Sequence, residues 1–361
     1  MKILTICDSF KGTLSSKEIG VIVSEVLNKK GHFANYVSIS DGGEGFIETF
    51  SDVLKIEPLI LKTQGPLPHS LVEAKYLFDE KTKTGFVELA QSAGITLIKK
   101  LAPYETNTYG VGEVIKHLIT NHHANKIYLG VGGSATIDLG VGMLEALGTK
   151  FYDKNNEIIN NISQKDLNKV TKIDTKDLND LIKNIEFNVL SDVSSPILGE
   201  EGGLRVYTPQ KGATKEDLDI MENNIKSYLN TVIDQVNSSY IDDAYLGAAG
   251  GINYSLKYFL NAKIKLGISA LLEIIKFDKL IKEYDIIISG EGKFDYQTLQ
   301  GKVIKGIMEY HPKRLVIISA INELPNTNME VYSIVPNIAS VEESLKYPKE
   351  NLQKLIETLN L

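Results

Sequence analysis

The spacing of apolar residues predicts alternating strands and helices at the start of the chain. Residues 2–8 form a mostly apolar run with the length of one buried strand. A helix over about 16–30 follows, opened by a pair of serines and carrying apolar side chains at helical spacing. The pattern repeats as a strand over 36–40 and a helix over about 46–53. Strand, helix, strand, helix is the beginning of a parallel sheet with helices on both faces.

The middle of the chain has a different pattern. Short alternating segments over 57–63, 71–78 and 84–89, separated by glycine and proline, predict antiparallel strands. A strand over 126–130 and a helix from about Asp138 to Leu147 are predicted further along. We therefore expect this region to be a separate domain of mixed architecture.

The end of the chain returns to the parallel pattern. Strands are predicted over 284–289, 314–319 and 330–334, and Pro348 is suited to the first turn of a final helix. The fold class predicted from these patterns is α/β, with a doubly wound, Rossmann-like parallel sheet.

The chain returns to its first pattern after a long interruption, which predicts a discontinuous domain. We expect residues 1–62 and 283–361 to form the Rossmann-like domain and residues 63–282 to form a larger inserted mixed α/β domain. Ligands of open parallel sheets bind beyond the carboxyl ends of the strands. We therefore expect the active site in the cleft between the two domains.

Composition and charge narrow the class of protein. A net charge of −7 over 361 residues argues against nucleic acid and anionic membranes as partners, because both select clustered positive charge. One cysteine, Cys7, lies in the first predicted strand, which fits a buried thiol in a reducing compartment. The sequence opens on this strand rather than on a basic and then apolar leader, so we expect a cytosolic protein. A homodimer is one assembly that the sequence allows.

Four glycine-containing segments are the candidates for chemistry. They are residues 8–12 (Asp-Ser-Phe-Lys-Gly), 41–45 (Asp-Gly-Gly-Glu-Gly), 130–136 (Gly-Val-Gly-Gly-Ser-Ala-Thr) and 289–295 (Ser-Gly-Glu-Gly-Lys-Phe-Asp). Glycine lets backbone N–H groups approach an anion closely, and carboxylates in such loops can hold a magnesium ion or accept a proton. The segments predict a site for the phosphates of ATP and a metal ion.

Several charged side chains are expected to contact ATP, the metal ion or the substrate. They lie in these segments and at the end of one further strand. Lys11 follows the first strand by a few residues, at the edge of the sheet where ligands bind. Asp41, Asp192 and Asp295 each follow a strand or enter a tight turn, where capping is the alternative role. Three carboxylates at strand ends are more than capping needs, so we expect them in the site.

Two nucleotide-binding motifs are missing. Neither Gly292-Lys293 nor Gly301-Lys302 is followed by Ser or Thr, and neither has the earlier glycine that a Walker A loop requires. The His-Arg-Asp and Asp-Phe-Gly signatures of protein kinases do not occur. A kinase interpretation must therefore rest on another fold.

A third motif keeps one alternative open. Gly130, Gly132 and Ala135 satisfy the degenerate dinucleotide fingerprint, and Asp153 lies about 20 residues further on, where a ribose-binding acid is expected. An NAD-linked hydroxyacid dehydrogenase therefore stays an alternative. In either case we expect these glycines to place amides around a phosphate at a helix N-terminus.

Taken together, the segments resemble the bacterial glycerate kinase family, which phosphorylates D-glycerate. The resemblance spans nearly the whole chain through six motifs in one order: 8–12, 41–45, 132–136, 209–213 (Pro-Gln-Lys-Gly-Ala), 247–251 (Gly-Ala-Ala-Gly-Gly) and 290–302 (Gly-Glu-Gly-Lys-x-Asp-x-Gln-Thr-x-x-Gly-Lys). It implies an ATP-dependent phosphotransferase with an alcohol acceptor, which uses ATP and Mg²⁺, takes D-glycerate as its substrate and forms 2-phosphoglycerate.

Phosphoryl transfer needs alignment of the substrate hydroxyl, neutralisation of the developing charge and removal of the hydroxyl proton. These three requirements suggest hypothetical roles for the candidate residues. Lys11 and Lys293 would neutralise phosphate oxygens, and Asp192 or Asp295 would accept the proton. The metal ligands, direct or through water, would be Asp41 and Glu291. The remaining assignments are nucleotide binding by Gly132, Gly133, Ser134, Gly290, Glu291 and Gly292, and substrate binding by Ser9, Lys11, Asp41, Gly42 and Gly43.

The chain departs from the family pattern in three places. The usual Asn-Asp-Gly-Gly-Ala-Gly is replaced over residues 137–142 by Ile-Asp-Leu-Gly-Val-Gly. The usual Cys-Asp-Val-Thr-Asn-Pro is Ser-Asp-Val-Ser-Ser-Pro over 191–196, and Ala320 stands where a glycine is expected. The acidic and lysine positions are retained, so we expect activity. A catalytically silent nucleotide-binding regulator is the second alternative.

Overall fold

The structure is a computed structural model that describes residues 1–39, 42–43, 45–236, 243–296, 298, 303–324 and 326–361. The strands are β1 (Lys2–Cys7), β2 (Phe33–Tyr36), β3 (Leu59–Gln64), β4 (Leu71–Asp79), β5 (Thr84–Glu88), β6 (Lys126–Gly130), β7 (Lys150–Tyr152), β8 (Lys172–Asp174), β9 (Glu186–Leu190), β10 (Lys263–Lys265), β11 (Ile286–Phe294), β12 (Leu315–Asn322) and β13 (Glu330–Val335).

Helices separate most of these strands. The α-helices are α1 (Ser16–Lys29), α2 (Phe46–Leu54), α3 (Ala90–Ala93), α4 (Tyr109–Thr120), α5 (Val141–Ala146), α6 (Lys176–Ile182), α7 (Gly203–Tyr207), α8 (Lys215–Val236), α9 (Ile252–Tyr258), α10 (Gly267–Ile274), α11 (Phe277–Leu280), α12 (Val303–Met308), α13 (Val341–Lys346) and α14 (Pro348–Thr358). Short 3-10 helices cover Ile95–Leu97, Gln164–Lys169, Pro209–Lys211, Ala248–Gly251 and Ile281–Glu283.

The chain forms two compact units. The first unit consists of Met1–Ser40, Asp52–Leu54 and Gly267–Leu361, and the second of Asp41–Ser51 and Lys55–Leu266. The units differ from the predicted domains in the placement of residues 41–51, 55–62 and 267–282, and the predicted boundaries stay a prediction.

The first unit is built on a five-stranded sheet in the order β13-β12-β11-β1-β2, with every pair parallel. Ile288 and Ile318 contribute to a core with α1 and α14. Ile317 packs instead with Ile304 of α12. Successive residues of a strand point to opposite faces, so helices cover both faces of this sheet. The predicted α/β class with parallel strands is confirmed.

Helix α1 begins where the sequence predicts it. Ser15 and Glu18 form a capping box, in which the Ser15 hydroxyl accepts from the Glu18 backbone N–H at 3.2 Å and the Glu18 carboxylate accepts from the Ser15 backbone N–H at 3.0 Å. Ile19, Val23 and Leu27 recur four residues apart and are buried against the sheet. The cap and the apolar stripe together fix the start and the orientation of the helix.

The second strand is not where the sequence predicted it. Strand β2 covers Phe33–Tyr36 instead of 36–40. Its pairing with β1 begins at Lys2 opposite Phe33 and ends at Thr5 opposite Tyr36, after which the Val37 N–H donates once more to the Thr5 carbonyl. The backbone ladder, and not the apolar pattern of the sequence, determines the position of this short edge strand.

The second unit contains a six-stranded sheet in the order β10-β9-β6-β5-β4-β3. Strands β3, β4 and β5 are antiparallel, as predicted, while β5, β6, β9 and β10 run parallel. Helix α8 packs into the large core of this unit through Met221, Ile225 and Leu229. Among the helices of the described ranges, none has the length and apolar character needed to cross a membrane.

The capping box of α1 gives a stability prediction. Ser15→Ala removes the side-chain acceptor for the Glu18 N–H and should lower the free energy of unfolding by about 1 kcal/mol. Ser15→Asp keeps an acceptor at the cap and should retain most of the wild-type stability. Urea unfolding followed by circular dichroism measures both variants, and equal losses in the two would contradict a capping role.

Candidate active site

The first unit brings two of the predicted segments together at the carboxyl edge of its sheet. Strand β1 ends at Cys7, and the N–H of Asp8 then donates to the Gly290 carbonyl of β11 at 2.8 Å. A Cβ atom added to Gly292 would lie 3.3 Å from the Cα of Phe10 and 3.5 Å from the backbone nitrogen of Lys11. The segment that carries Ser9 and the exposed Lys11 therefore lies directly beside Gly290–Gly292.

The predicted loop over residues 289–295 is a strand through Phe294. Strand β11 continues to Phe294 because its neighbour β12 continues to Asn322, and the two pair as far as Phe294 opposite Asn322. The prediction of a glycine loop here was therefore wrong. Gly290 is needed for a different reason, since a Cβ atom on it would lie 2.1 Å from the Ile318 carbonyl oxygen.

The charged residues of β11 differ in burial. Glu291 is 6% exposed and lies opposite Ser319 in the sheet. Lys293 is about half exposed, and its ammonium lies 2.9 Å from the Glu323 carboxylate and 3.7 Å from that of Asp295. The hydrogen bond to Glu323 is the main cause that raises the pKa of Lys293. Lys293 is therefore a cation in an acidic surrounding.

Asp295 and Thr298 stabilise the turn after β11 reciprocally. The Asp295 carboxylate accepts from the Thr298 backbone N–H at 3.2 Å, and the Thr298 hydroxyl accepts from the Asp295 N–H at 3.0 Å. Thr298 is fully buried. The capping role that the sequence left as an alternative for Asp295 is thus present in the structure.

In the second unit, the ends of two strands meet the glycines of the 41–45 segment. The N–H of Gly132, just after β6, donates to the Gly42 carbonyl at 2.8 Å. A Cβ atom on Gly132 would lie 2.5 Å from the Gly43 Cα, and one on Gly42 would lie 2.4 Å from the Leu190 carbonyl oxygen at the end of β9. Main chain contacts main chain at these positions, so a side chain on either glycine would separate the segments.

These segments enclose a cavity of about 330 Å³ in the second unit. Its volume is at the lower end of the roughly 300–1,000 Å³ found for ligand pockets. The wall includes Gly132, Gly133 and Ser134 from the predicted nucleotide site, Gly43 from the predicted substrate site, and Asp192. The other lining residues are Ile95, Val131, Leu190, Ser191, Val193, Tyr207, Gln210, Lys211, Ala248 and Ala249.

Lys211 is a buried cation on the wall of this cavity. Only 4% of the residue is exposed, and its ammonium donates to the Thr136 carbonyl at 2.8 Å and to the Ser134 hydroxyl at 3.3 Å. Burial lowers the pKa of Lys211 to about 7, and the nearby Asp138 carboxylate offsets part of this shift. Lys211 belongs to the 209–213 motif, and its burial gives it a role that the motif alone does not predict.

Asp138 lies in the loop just before α5. Its carboxylate accepts from the backbone N–H and the hydroxyl of Thr108 at 2.9 and 2.7 Å, and from the N–H groups of Gly140 and Gly142, both at 3.2 Å. Complete burial raises the pKa of Asp138, and these four hydrogen bonds oppose the rise. Helix α5 begins at Val141 and not at Asp138, because Asp138 holds the loop before it.

The prediction that a helix N-terminus follows these glycines is therefore wrong, while their binding of phosphate stays a prediction. The glycines at 130–133 do not lead into a helix, and the first amides of α5 already have a carboxylate partner. The dinucleotide fingerprint fails for the same reason. Asp153, its expected ribose ligand, accepts instead from the N–H groups of Asn155 and Glu157 in its own turn.

The apolar departures from the family pattern lie in the core of the second unit. Ile137, Leu139 and Val141 are each at most 1% exposed, and none of them lines the cavity. Leu139 adopts the left-handed conformation, with φ at 53°, which is costly for a branched side chain. A Cβ atom on Gly251 would lie 2.2 Å from the Leu139 side chain.

The segment 247–251 combines close backbone packing with a place on the cavity wall. A Cβ atom on Gly250 would lie 1.9 Å from the Thr136 carbonyl oxygen, so this glycine packs directly on the loop that Lys211 holds. Ala248 and Ala249 line the cavity.

Of the two predicted metal ligands, the structure describes Glu291. Asp41 lies outside the described residues, as do Gln297, Gly301 and Lys302 of the last motif. Glu291 lies within β11 of the first unit. Among the residues that the structure describes, no group of three or more His, Cys, Asp or Glu side chains could hold a metal ion.

Comparison with known proteins gives consistent results. The profile of the group described as the glycerate kinase family matches residues 3–360. The chain is 31% identical to a glycerate kinase of Halalkalibacterium halodurans, over 94% of this chain and 92% of that protein. It is also 31% identical to a glycerate 2-kinase of Escherichia coli, over 98% of this chain and 95% of that protein.

A solved structure agrees with these relatives. The crystal structure of a candidate glycerate kinase 2 from Salmonella typhimurium LT2 superposes with a TM-score of 0.82 at 28% identity. The match covers 99% of this chain and 96% of the other.

The close approach of main-chain segments at the cavity gives a prediction with a matched control. Gly42 and Gly199 have φ values of 89° and 91°, but a Cβ atom would meet the Leu190 carbonyl only at Gly42. Gly199→Ala should cost roughly 1–2 kcal/mol from the unfavourable φ. Gly42→Ala should cost about 1–3 kcal/mol more because of the clash. Equal free energies of unfolding for the two variants would disprove the contact.

Proposed function

The chain belongs to the glycerate kinase family, and from this premise we propose that it transfers the γ-phosphoryl group of ATP to a hydroxyl of D-glycerate, giving ADP and 2-phosphoglycerate. The observation that carries this proposal is the cavity of the second unit. It joins predicted glycine segments, one carboxylate and one buried lysine in a space suited to a small acid.

We assign the removal of the proton to Asp192. Transfer forms a bond between the substrate oxygen and phosphorus, breaks the bond between phosphorus and the ADP oxygen, and moves the hydroxyl proton to a base. Asp192 lies on the cavity wall, and its side chain is exposed there. Asp295 is the weaker candidate, because it is not among the residues that line this cavity.

The first unit provides the groups suited to phosphate. Lys11 is exposed beside Gly292, and Lys293 is a raised-pKa cation on the neighbouring strand. We assign to both the neutralisation of phosphate oxygens during transfer. Ser9 and Gly290 complete this edge. Lysine acts here as a point charge, without the paired contacts that arginine would make.

The charged groups of the first unit also fit a magnesium ion. Mg²⁺ prefers oxygen ligands and is commonly held by one or two carboxylates together with substrate phosphates, so a cage of three protein ligands is not required. Glu291 offers a buried carboxylate, and Asp41 is the second proposed ligand. A bound Mg²⁺ would neutralise charge on the phosphate oxygens. The homodimer, the cytosolic location and the location of the active site in a cleft stay predictions.

The first test of this function is the reaction itself. The purified protein should form ADP from ATP and Mg²⁺ only when D-glycerate is present, and phosphorus NMR of the product should show the phosphate on the 2-hydroxyl. A product phosphorylated at the 3-hydroxyl would correct the regiochemistry. ATP binding without any turnover would favour the silent regulator, and reduction of NAD by the same acid would favour the dehydrogenase.

The proton acceptor is tested by two matched substitutions. Asp192→Asn should lower kcat by about 10²–10⁴-fold with little change in the KM for ATP, since a catalytic base contributes by that factor. Asp295→Asn keeps an oxygen that can accept the Thr298 N–H and should lower kcat far less. Steady-state kinetics of both variants measure this difference, and the reverse order would make Asp295 the base.

A further inference from the structure

Lys211 has hydrogen-bond capacity that its surroundings do not fill. An ammonium group has three N–H donors. Within the described part of the chain, the Lys211 ammonium has two acceptors, the Thr136 carbonyl and the Ser134 hydroxyl. Both acceptors are uncharged. Lys211 lines the cavity, so a ligand bound there would lie against this residue.

The charge of Lys211 also lacks a contact partner in the described ranges. Among the ion pairs of the described residues, none includes the Lys211 ammonium. Asp138, the acid whose charge acts on Lys211, already accepts four hydrogen bonds from Thr108, Gly140 and Gly142. A buried charge without a counter-ion is costly, so an anion that enters the cavity would gain a strong interaction.

We propose that Lys211 determines acid specificity by binding the carboxylate of the substrate, with its ammonium as the counter-ion. This inference rests on the proposed function. The anion could in principle be a carboxylate or a phosphate. One lysine and one carboxylate, Asp192, are the charged side chains in the described wall, and a single cation matches a mono-acid better than a triphosphate.

Binding of the carboxylate to Lys211 makes substrate affinity depend on the protonation of this lysine. The Lys211 pKa of about 7 means that the free protein loses this charge as the pH rises above 7. A bound carboxylate stabilises the charged form and raises the pKa. The other titratable groups on the cavity wall are Asp192 and Tyr207, and the Asp138 carboxylate is close enough to raise the pKa of Lys211. Binding of the acid at pH 8 should therefore take up a proton.

Calorimetry of the wild-type protein tests this directly, without turnover. D-Glycerate is titrated into the protein at pH 6 and pH 8, each in two buffers that differ in ionisation enthalpy. We expect uptake of nearly one proton per ligand at pH 8, little uptake at pH 6, and an affinity that falls by roughly tenfold per pH unit above 7. The uncharged amide of D-glycerate is the control ligand and should show no uptake.

The variant Lys211→Met identifies the group that takes up the proton. It should bind D-glycerate at least tenfold more weakly at pH 7 and show neither proton uptake nor the decline in affinity above pH 7. The KM for the acid should rise more than kcat falls. Circular dichroism and the melting temperature verify folding, and the wild-type titration does not depend on the variant.

The possible outcomes separate this inference from the proposed function. A wild-type enzyme that phosphorylates D-glycerate without proton uptake, or a variant that keeps the uptake, would overturn the role of Lys211 and leave the function intact. Uptake on titration with ATP alone would overturn the carboxylate assignment in favour of phosphate. An enzyme that forms no ADP with D-glycerate would overturn the proposed function itself.

Discussion

Contacts between main-chain segments hold the cavity of the second unit together. Gly42, Gly132 and Gly250 each lie where a Cβ atom would come within 2.5 Å of another backbone atom or closer. A side chain would not fit at these positions, so the main-chain segments lie closer together than residues with side chains allow. This close packing leaves little freedom in the loops that it joins. The polar groups of the wall can therefore be held in place by loops that are themselves short and irregular.

Part of this arrangement could be predicted from the sequence. Strand β6 and helix α1 lie within a residue or so of where periodicity places them, because each has a regular apolar pattern with clear ends. Strand β2 was predicted three residues too late, since a short edge strand is positioned by its partner. The extension of β11 through a glycine-rich run depended on the length of β12, which is not a local property of the sequence.

In the candidate site too, sequence motifs identified some residues, while the roles of others depend on contacts that form only in the folded protein. Motifs identified Gly132, Ser134 and Asp192, which the structure places around one cavity. The roles of Lys211, Thr298 and Glu323 depend on burial or on partners that are distant or unremarkable in sequence. Lys11 and Lys211 are each followed by glycine in a family motif, yet Lys11 is exposed and Lys211 is buried, so the motif alone carried no signal for the role of Lys211. The amides of α5 looked free for phosphate only because the hydrogen bonds of Asp138 cannot be read from the sequence.

Leu139 and Gly251 show how one departure from the family pattern constrains another position. The Leu139 side chain fills space that exists only because Gly251 has none, while its own backbone is in a conformation that suits glycine. A residue with a side chain at 251 would therefore require the Leu139 side chain to move. We therefore expect the effects of substitutions at the two positions to be coupled, and glycine at 139 would leave a void in the core of the second unit.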